Sequence, residues 1–421
     1  MSGLALVAHV LGATVTGSDR AASSYADRLR VDGIEPAIGH DAANVPADAE
    51  VVVSTAIADS NPELAVARER GQRELHRGDL LAEASTLKRC IAVSGTHGKT
   101  TTSAMVAHVL AETGRDPAYL IGGEVRSTGS NAAWGTGEWV VVEADESDRS
   151  FLKVHPEIAV VTNVEVDHHG TYSGQLDVER AFASWVDSAG TTIAWVDVPL
   201  DADVTYGIGA GDVRADDVVL DASGARFTVD GVPAELPLFG AHNVLNALAA
   251  LGACRAAGVP LAEAAPALTS FRGAKRRFEP RGKTASGAAI VDDYAHHPTE
   301  VAATLEAART TGPRRLIAIF QPHLYSRTQH LQREFGRALA LADGVVVVDI
   351  FPAREDAADY PGVTGHLIAR SAADAANGRP VYWLPKMEDA QRIVNALAGE
   401  GDLILTLGAG NVDKVAAALA A

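Results

Sequence analysis

The sequence predicts an α/β protein built on mostly parallel, helix-covered sheets, and three observations predict it. The apolar run Ile91-Ala92-Val93 passes through a glycine-containing loop, Gly95-Thr96-His97-Gly98, into Lys99-Thr100 and a helical stretch reaching Leu110. From Ala288 onward, apolar strands at 288–292, 315–320, 344–349, 381–384 and 402–407 alternate with helical stretches, as in a doubly wound parallel sheet. The 421 residues, 47% hydrophobic and 21% charged, suffice for two or three domains that each bury a core.

The totals also exclude some classes of function. A formal net charge of −18 argues against a nucleic-acid-binding surface, though a local pocket can still be positive. Cys90 and Cys254 stand far apart with no metal-ligand spacing, which argues against a disulfide framework and fits a reducing cytoplasm. No apolar run is long enough to span a bilayer, and the N-terminus lacks a basic n-region and a cleavage site. The expectation is a soluble, acidic, cytoplasmic multidomain protein.

In chain order, residues 1–11 read as a helix and Ala13–Thr16 as a short strand ending in Gly17-Ser18-Asp19. An acid at a strand's carboxyl end suits a ribose contact in a Rossmann-like domain. A second strand covers 50–54, and Asn61-Pro62-Glu63 opens a helix with an Asn cap and Pro in the first turn. The Gly95–Thr102 loop then follows a strand. Glu138–Val142 is a strand running into Glu143-Ala144-Asp145-Glu146-Ser147-Asp148, and Ile158–Asn163 is another, followed by Glu165-Val166-Asp167-His168-His169. Strand-like pieces between 191 and 238 predict a β subregion, and a helix starts near His242-Asn243. Residues 271–279, basic and glycine-containing, mark a domain junction before the final alternating segment.

The loop is laid out to bind phosphate. Backbone N–H groups at a helix N-terminus face an anion, Lys99 adds positive charge, and Thr100 is placed to offer its hydroxyl to Mg²⁺. Val93 stands where the general pattern G-x-x-x-x-G-K-[ST] has its first glycine, so an ordinary strand–turn–helix remains open on this stretch alone. The acid cluster 145–148 reads either as a solvated loop or as carboxylates for Mg²⁺, which prefers oxygen ligands. Asp292-Asp293-Tyr294-Ala295-His296-His297-Pro298 exceeds what a helix cap requires, and Gln321–Thr328 places His323 and Arg327 at a strand's carboxyl end. Arg327 suits a phosphate or carboxylate, with a surface ion pair as the alternative.

In combination these stretches resemble the Mur ligases, the ATP-dependent amide-forming enzymes of peptidoglycan assembly. The resemblance runs along the whole chain. It rests on Gly95–Thr101, Glu143–Asp148, Thr162–His168, His242–Ala247, Lys275–Phe278, Asp292–Glu300 and Gln321–Thr328. The family's shorter loop, G-T-[HN]-G-K-[ST], accounts for Val93.

The resemblance implies three domains: a Rossmann-like UDP-binding domain (1–86), a central ATP-binding domain with a mostly parallel sheet plus the β subregion (87–272), and a Rossmann-like C-terminal domain (273–421). It implies ATP and Mg²⁺, two ions, as cofactors. Gly95, Thr96, His97, Gly98, Lys99, Thr100 and Thr101 would hold the ATP phosphates, Asn243 and Asn246 would lie near the adenine, and Asp293 and His296 near ribose and phosphates. Thr100, Glu146 and His168 would serve the metal. Lys99, Glu146, His168 and Arg327 are the implied catalytic set, and Tyr294, His323 and Arg327 would meet the incoming amino acid.

Within the family the resemblance points to the branch that joins L-alanine to the carboxylate of UDP-N-acetylmuramate through an acyl phosphate. The resemblance implies that several sister ligases carry a carbamylated lysine in the central domain and that the alanine-adding branch lacks it, and no lysine occurs here between Lys153 and Lys275. A murein-peptide-recycling ligase is the neighbouring alternative. Family members open with a strand and Gly-rich turn before a Met-Ser-Gly-Leu-Ala-like helix, and here Met1–Ala5 begins the chain. The expectation is a first domain lacking its first strand, with Ser18, Asp19, His40 and Ser54 as the remaining UDP-sugar contacts. A non-catalytic nucleotide-binding module is the reading that this departure favours. The implied partners are small molecules only, with no nucleic acid, no membrane insertion, and a monomer or weak homodimer.

Overall fold

The computed structural model describes residues 1–167 and 170–420. The chain divides into two compact units, one of residues 1–214 with 246–274, the other of 215–245 with 275–421.

In the first unit, the N-terminal stretch forms two small parallel strand pairs, Ser18–Asp19 with Ala37–Ile38 and Val51–Val53 with Glu74–His76. Ala13–Thr16, expected as a strand, is not one: those residues are largely exposed, and the pairing starts only at Ser18. A strand exists by its ladder partners, and alternation over four residues does not supply them. The helix Ser2–Val10 buries Gly3, Leu6 and Val7. It lies close on the strand Ser130–Ala133, since a Cβ on Gly3 would stand 3.1 Å from that of Ala132.

The main sheet of this unit runs Val204–Ile208, Thr191–Trp195, Ile158–Val161, Arg89–Ser94, Trp139–Glu143, Ala118–Val125, Ser130–Ala133. Every pairing is parallel except the last. Its inner strands read as continuous apolar runs because both faces are covered; Ile91, Ala92, Val93, Val140, Val141, Val142, Ala159, Val160 and Val161 are wholly buried. The helix Lys99–Glu112 is buried from Thr100 to Leu110. The strand Arg89–Ser94 lies between Trp139–Glu143 and Ile158–Val161, so Glu143 and Thr162, at the ends of those neighbours, converge beside the Gly95–Thr102 loop.

The second unit contains an antiparallel ladder, residues 215–221 with Gly224–Val229 and Val232–Leu236, where the β subregion was expected. It also contains a sheet ordered Glu279–Lys283, Ala289–Asp293, Leu403–Leu407, Leu316–Phe320, Gly344–Val347, Val381–Trp383. All its pairs are parallel except the first. Side chains alternate between two cores as the pleat requires. Leu316, Ala318 and Phe320 pack with Leu305 and Leu339 on one face. Ile317 and Ile319 pack with Val394 and Val415 on the other. This is the doubly wound pattern that the sequence predicts.

Candidate functional site

The site in the first unit is built on the loop between the strand Arg89–Ser94 and the helix Lys99–Glu112. Gly98 occupies the helix N-cap with φ +81°, and no side chain caps this N-terminus. Neighbouring residues hold the loop rigidly. Thr96 N–H donates to the Asn163 carbonyl at 3.1 Å, and the Thr162 hydroxyl donates to the His97 carbonyl at 2.6 Å. Asn163 takes His97 from both sides, accepting its N–H on Oδ1 at 2.8 Å and donating from Nδ2 to its carbonyl at 3.0 Å. Thr96 and Glu165 exchange two bonds through the Thr96 hydroxyl. Gly95, at φ +138°, leaves no room for a side chain, since a Cβ would stand 2.1 Å from Thr162 Oγ1. Asn246 lies against the loop too, its Oδ1 2.5 Å from where a Cβ on Gly98 would be.

Lys99 folds back over the loop. Its ammonium donates to the Gly95 carbonyl at 2.6 Å and the Thr96 carbonyl at 3.1 Å, and it pairs with Glu146 Oε2 at 2.7 Å. Burial opposes the charge on Lys99, but Glu146, Asp145 and Glu143 together raise its pKa well above the ordinary lysine value. Glu146, 2% exposed, is pushed up to about 7 by burial, against the pull of Lys99.

The acid cluster sorts itself by partner. Arg77 takes Asp145 at 2.6 Å and Asp148 at 3.0 Å, leaving Glu146 to face Lys99. Burial works against ionised Asp145, yet Lys99 and Arg77 hold it down at about 2. The Tyr172 hydroxyl fixes the backbone by donating to the Glu146 carbonyl at 2.7 Å. The Thr100 hydroxyl donates to Glu143 Oε1 at 2.9 Å.

These residues fit a polyphosphate with a hard cation. The helix N-terminus is uncapped, the loop bears an ammonium, and the donors beside it are a hydroxyl and carboxylates, the oxygen set that Mg²⁺ prefers. His97 approaches Glu165 Oε2 at 3.4 Å. His168 lies outside the described residues.

Of the expected UDP-sugar contacts, Ser18 and His40 are brought together. Ser18 donates to Glu63 Oε2 at 2.6 Å and lies 2.9 Å from His40 Nδ1. Glu63 also accepts Asn44 Nδ2 at 2.7 Å; burial opposes its charge, but these donors hold its pKa below the ordinary glutamate value. Asp19 turns instead to Ala21 N–H at 3.3 Å, and Ser54 closes a turn with Ile57 beyond the Val51–Val53 strand.

The second unit assembles the other expected residues at the carboxyl ends of its strands. Arg327, 3% exposed, donates from Nη1 to His323 Nδ1 at 3.1 Å. A guanidinium can only donate, so Nδ1 accepts and the His323 ring carries its proton on Nε2. His323 stacks on Phe351 at 5.8 Å and 13°, and its ring lies 5.8 Å edge-on from His296. Tyr294 packs edge-on against His296 at 5.3 Å and lies beneath the guanidinium groups of Arg276 and Arg277.

Asp293 is engaged by the backbone, accepting Phe278 N–H at 2.7 Å and Ala295 N–H at 2.8 Å; burial pushes its pKa up to about 6 despite Arg277. Arg276 is a strut, bonded to Asp292 and to the Gly408 and Gly410 carbonyls. Asn243 donates to the Phe239 carbonyl at 2.9 Å.

Sequence reasoning did not single out Arg77 or Glu63, for which no local pattern exists. Thr162 and Asn163 stood inside a motif, but their grip on the loop is a contact between strand ends.

Comparison with known proteins gives three matching family models: Mur ligase family, catalytic domain, over residues 1–89; Mur ligase middle domain over 93–254; and Mur ligase, glutamate ligase domain, over 276–410. The UDP-N-acetylmuramate–L-alanine ligase of Streptomyces coelicolor is 46% identical, over 98% of this chain and 93% of that protein. The enzyme of the same name from Rubrobacter xylanophilus is 43% identical, over 98% and 95%. Among solved structures, a UDP-N-acetylmuramate–alanine ligase of Thermotoga maritima matches with a TM-score of 0.85 and 29% identity, covering 100% of this chain and 95% of that one. A murein peptide ligase of Psychrobacter arcticus matches at 0.70 and 25%, covering 99% and 94%. The expected three-domain architecture is thus borne out, and the chain belongs to the Mur ligase family.

Proposed function

We propose that this chain is an ATP-dependent ligase that joins L-alanine to the carboxylate of UDP-N-acetylmuramate in peptidoglycan precursor synthesis. The observation that carries the chemistry is the buried Lys99–Glu146 pair at an uncapped helix N-terminus. Relatives bearing the alanine-ligase name support the choice of amine, and the fold match supports it too, 0.85 against 0.70 for the murein peptide ligase.

A carboxylate is a poor electrophile. In the proposed reaction its oxygen attacks the γ-phosphorus of ATP and ADP departs, giving an acyl phosphate. The L-alanine nitrogen then attacks the acyl carbon, loses a proton, and phosphate leaves from the tetrahedral intermediate. Negative charge gathers on the transferring phosphoryl group, so the protein's contribution is positioning and electrostatics. Lys99 and the loop N–H groups would hold the phosphates. Divalent cations would supply further charge neutralisation, with Thr100 and Glu146 holding one and His168 a second. Arg327, with His323 and Tyr294, would grip the amino-acid carboxylate, and Ser18 with His40 would meet the UDP-sugar. The division at 86/87 and 272/273, a cytoplasmic location and a monomer or weak homodimer belong to the same proposal.

The test is phosphate release from ATP with UDP-N-acetylmuramate and one amine at a time: L-alanine, glycine, L-serine or a murein peptide. Release that requires UDP-N-acetylmuramate and is fastest with L-alanine is expected. Release only with the peptide transfers the chain to the recycling activity, and none with any amine leaves a nucleotide-binding module.

A further inference from the structure

His323 and Arg327 are held by a segment of the second unit that is itself largely exposed. Between the strand Leu316–Phe320 and the helix Tyr325–Leu339, the chain passes His323 and then Leu324, the helix N-cap, at φ +70° and ψ 137°. A leucine is strained there, and such a backbone persists only where its surroundings over-determine it. The segment Phe351–Tyr360 supplies those surroundings. Phe351 brackets His323 along the backbone, donating its N–H to the Pro322 carbonyl at 2.8 Å and accepting Leu324 N–H at 3.0 Å. Its ring also covers one face of the His323 ring.

Four residues on, Glu355 does for the helix what a leucine N-cap cannot. Its Oε2 accepts Ser326 N–H at 3.0 Å, and its Oε1 accepts the Ser326 hydroxyl. A first-turn N–H that no N-cap side chain serves is thereby satisfied. Tyr360 stacks on Tyr325 at 5.8 Å and 16°, with its hydroxyl 3.5 Å from Glu355 Oε1. Ser326 directly precedes Arg327, so the carboxylate fixes the backbone from which Arg327 reaches His323 Nδ1.

We propose that Phe351–Tyr360 is a clamp that sets the mutual position of His323 and Arg327, with Phe351 and Glu355 as positioning residues for the amino-acid substrate. This rests on the reading that those two side chains grip the carboxylate of L-alanine. A substrate that small offers few other contacts, so drift between guanidinium and imidazole is lost directly as affinity. The ATP phosphates and the UDP-sugar are assigned to residues of the first unit and do not depend on the clamp.

Phosphate release by the full chain, with each substrate varied in turn, separates this role from a plain loop anchor. In Glu355→Ala, kcat/KM for L-alanine falls about ten- to a hundredfold, mainly through KM, while KM for ATP and for UDP-N-acetylmuramate holds. Glu355→Gln recovers most of the loss, because its amide oxygen can take Ser326 N–H and its NH₂ can donate to the hydroxyl oxygen. Phe351→Leu keeps an apolar side chain but no ring over His323. It shows the same L-alanine-specific fall, and it decides the matter if Glu355→Ala does not fold.

Unchanged L-alanine efficiency in either folded variant, equal rises in KM for all three substrates, or no recovery in Glu355→Gln overturns the inference. Phosphate release by the parent that does not depend on L-alanine would instead overturn the substrate reading, and the inference with it.

Discussion

Asn163 holds His97 by both halves of its amide, Oδ1 on the N–H at 2.8 Å and Nδ2 on the carbonyl at 3.0 Å. The side chain imitates a neighbouring strand and extends the sheet's hydrogen bonding into a loop that has no ladder partner. Asn163→Asp keeps the acceptor but sets a carboxylate oxygen against the His97 carbonyl. A bond lost with a buried acceptor left facing it costs about 1–3 kcal/mol. ADP affinity measured by calorimetry should fall roughly five- to a hundredfold.

Gly95→Ala challenges the same loop sterically. The new Cβ would meet Thr162 Oγ1 at 2.1 Å, and φ +138° is a backbone conformation that only glycine adopts at ease. Strain of roughly 1–3 kcal/mol is expected as a lowered thermal midpoint, together with loss of phosphate release. A variant with the parent's midpoint and full turnover would contradict the close approach of the loop to Thr162.

Lys99→Ala should cut phosphate release by at least about 10²–10³-fold, the scale on which a single charge-stabilising donor acts. The fold should survive, by far-UV circular dichroism. Glu146 loses its cation, but burial already pushes it up to about 7, so it takes a proton and remains buried as a neutral acid.

Asp402 offers a pH test remote from the chemistry. Its carboxylate, wholly inaccessible, accepts from Arg315, Arg314 and Gly399 N–H, and chiefly Arg315 holds its pKa well below the ordinary aspartate value. A carboxyl group whose folded pKa is depressed adds stability above the unfolded pKa and loses it as pH falls through the folded one. Asp402→Asn should therefore cost on the order of 1–3 kcal/mol at neutral pH. Its denaturation midpoint should also fall less steeply than the parent's below about pH 4. Parallel curves for the two proteins would contradict this.

Much of the molecule was legible because its signals are local. The strand–loop–helix at Lys99 and the alternating segment after Ala288 each announce themselves within a dozen residues, and both stand where the sequence places them. Contacts that join distant segments leave no such trace. Arg77 partners Asp145 from 68 residues away, and that contact decides which acid in the cluster is left for Lys99. Glu63 joins Ser18 and His40 in the same silent way. Ala13–Thr16 misled in the opposite sense, with a strand's composition and no neighbour to pair with.

The folded-back Lys99 has a kinetic consequence. Its ammonium already holds two carbonyls of its own loop and a carboxylate, so an arriving nucleotide finds the positive charge occupied by internal rivals. On the proposed phosphate-binding role of the loop, entry is an exchange reaction: the phosphates must outcompete Gly95, Thr96 and Glu146 for the same three protons. Such a loop discriminates by charge density, because a weakly charged anion cannot displace the ligands that the protein supplies to itself.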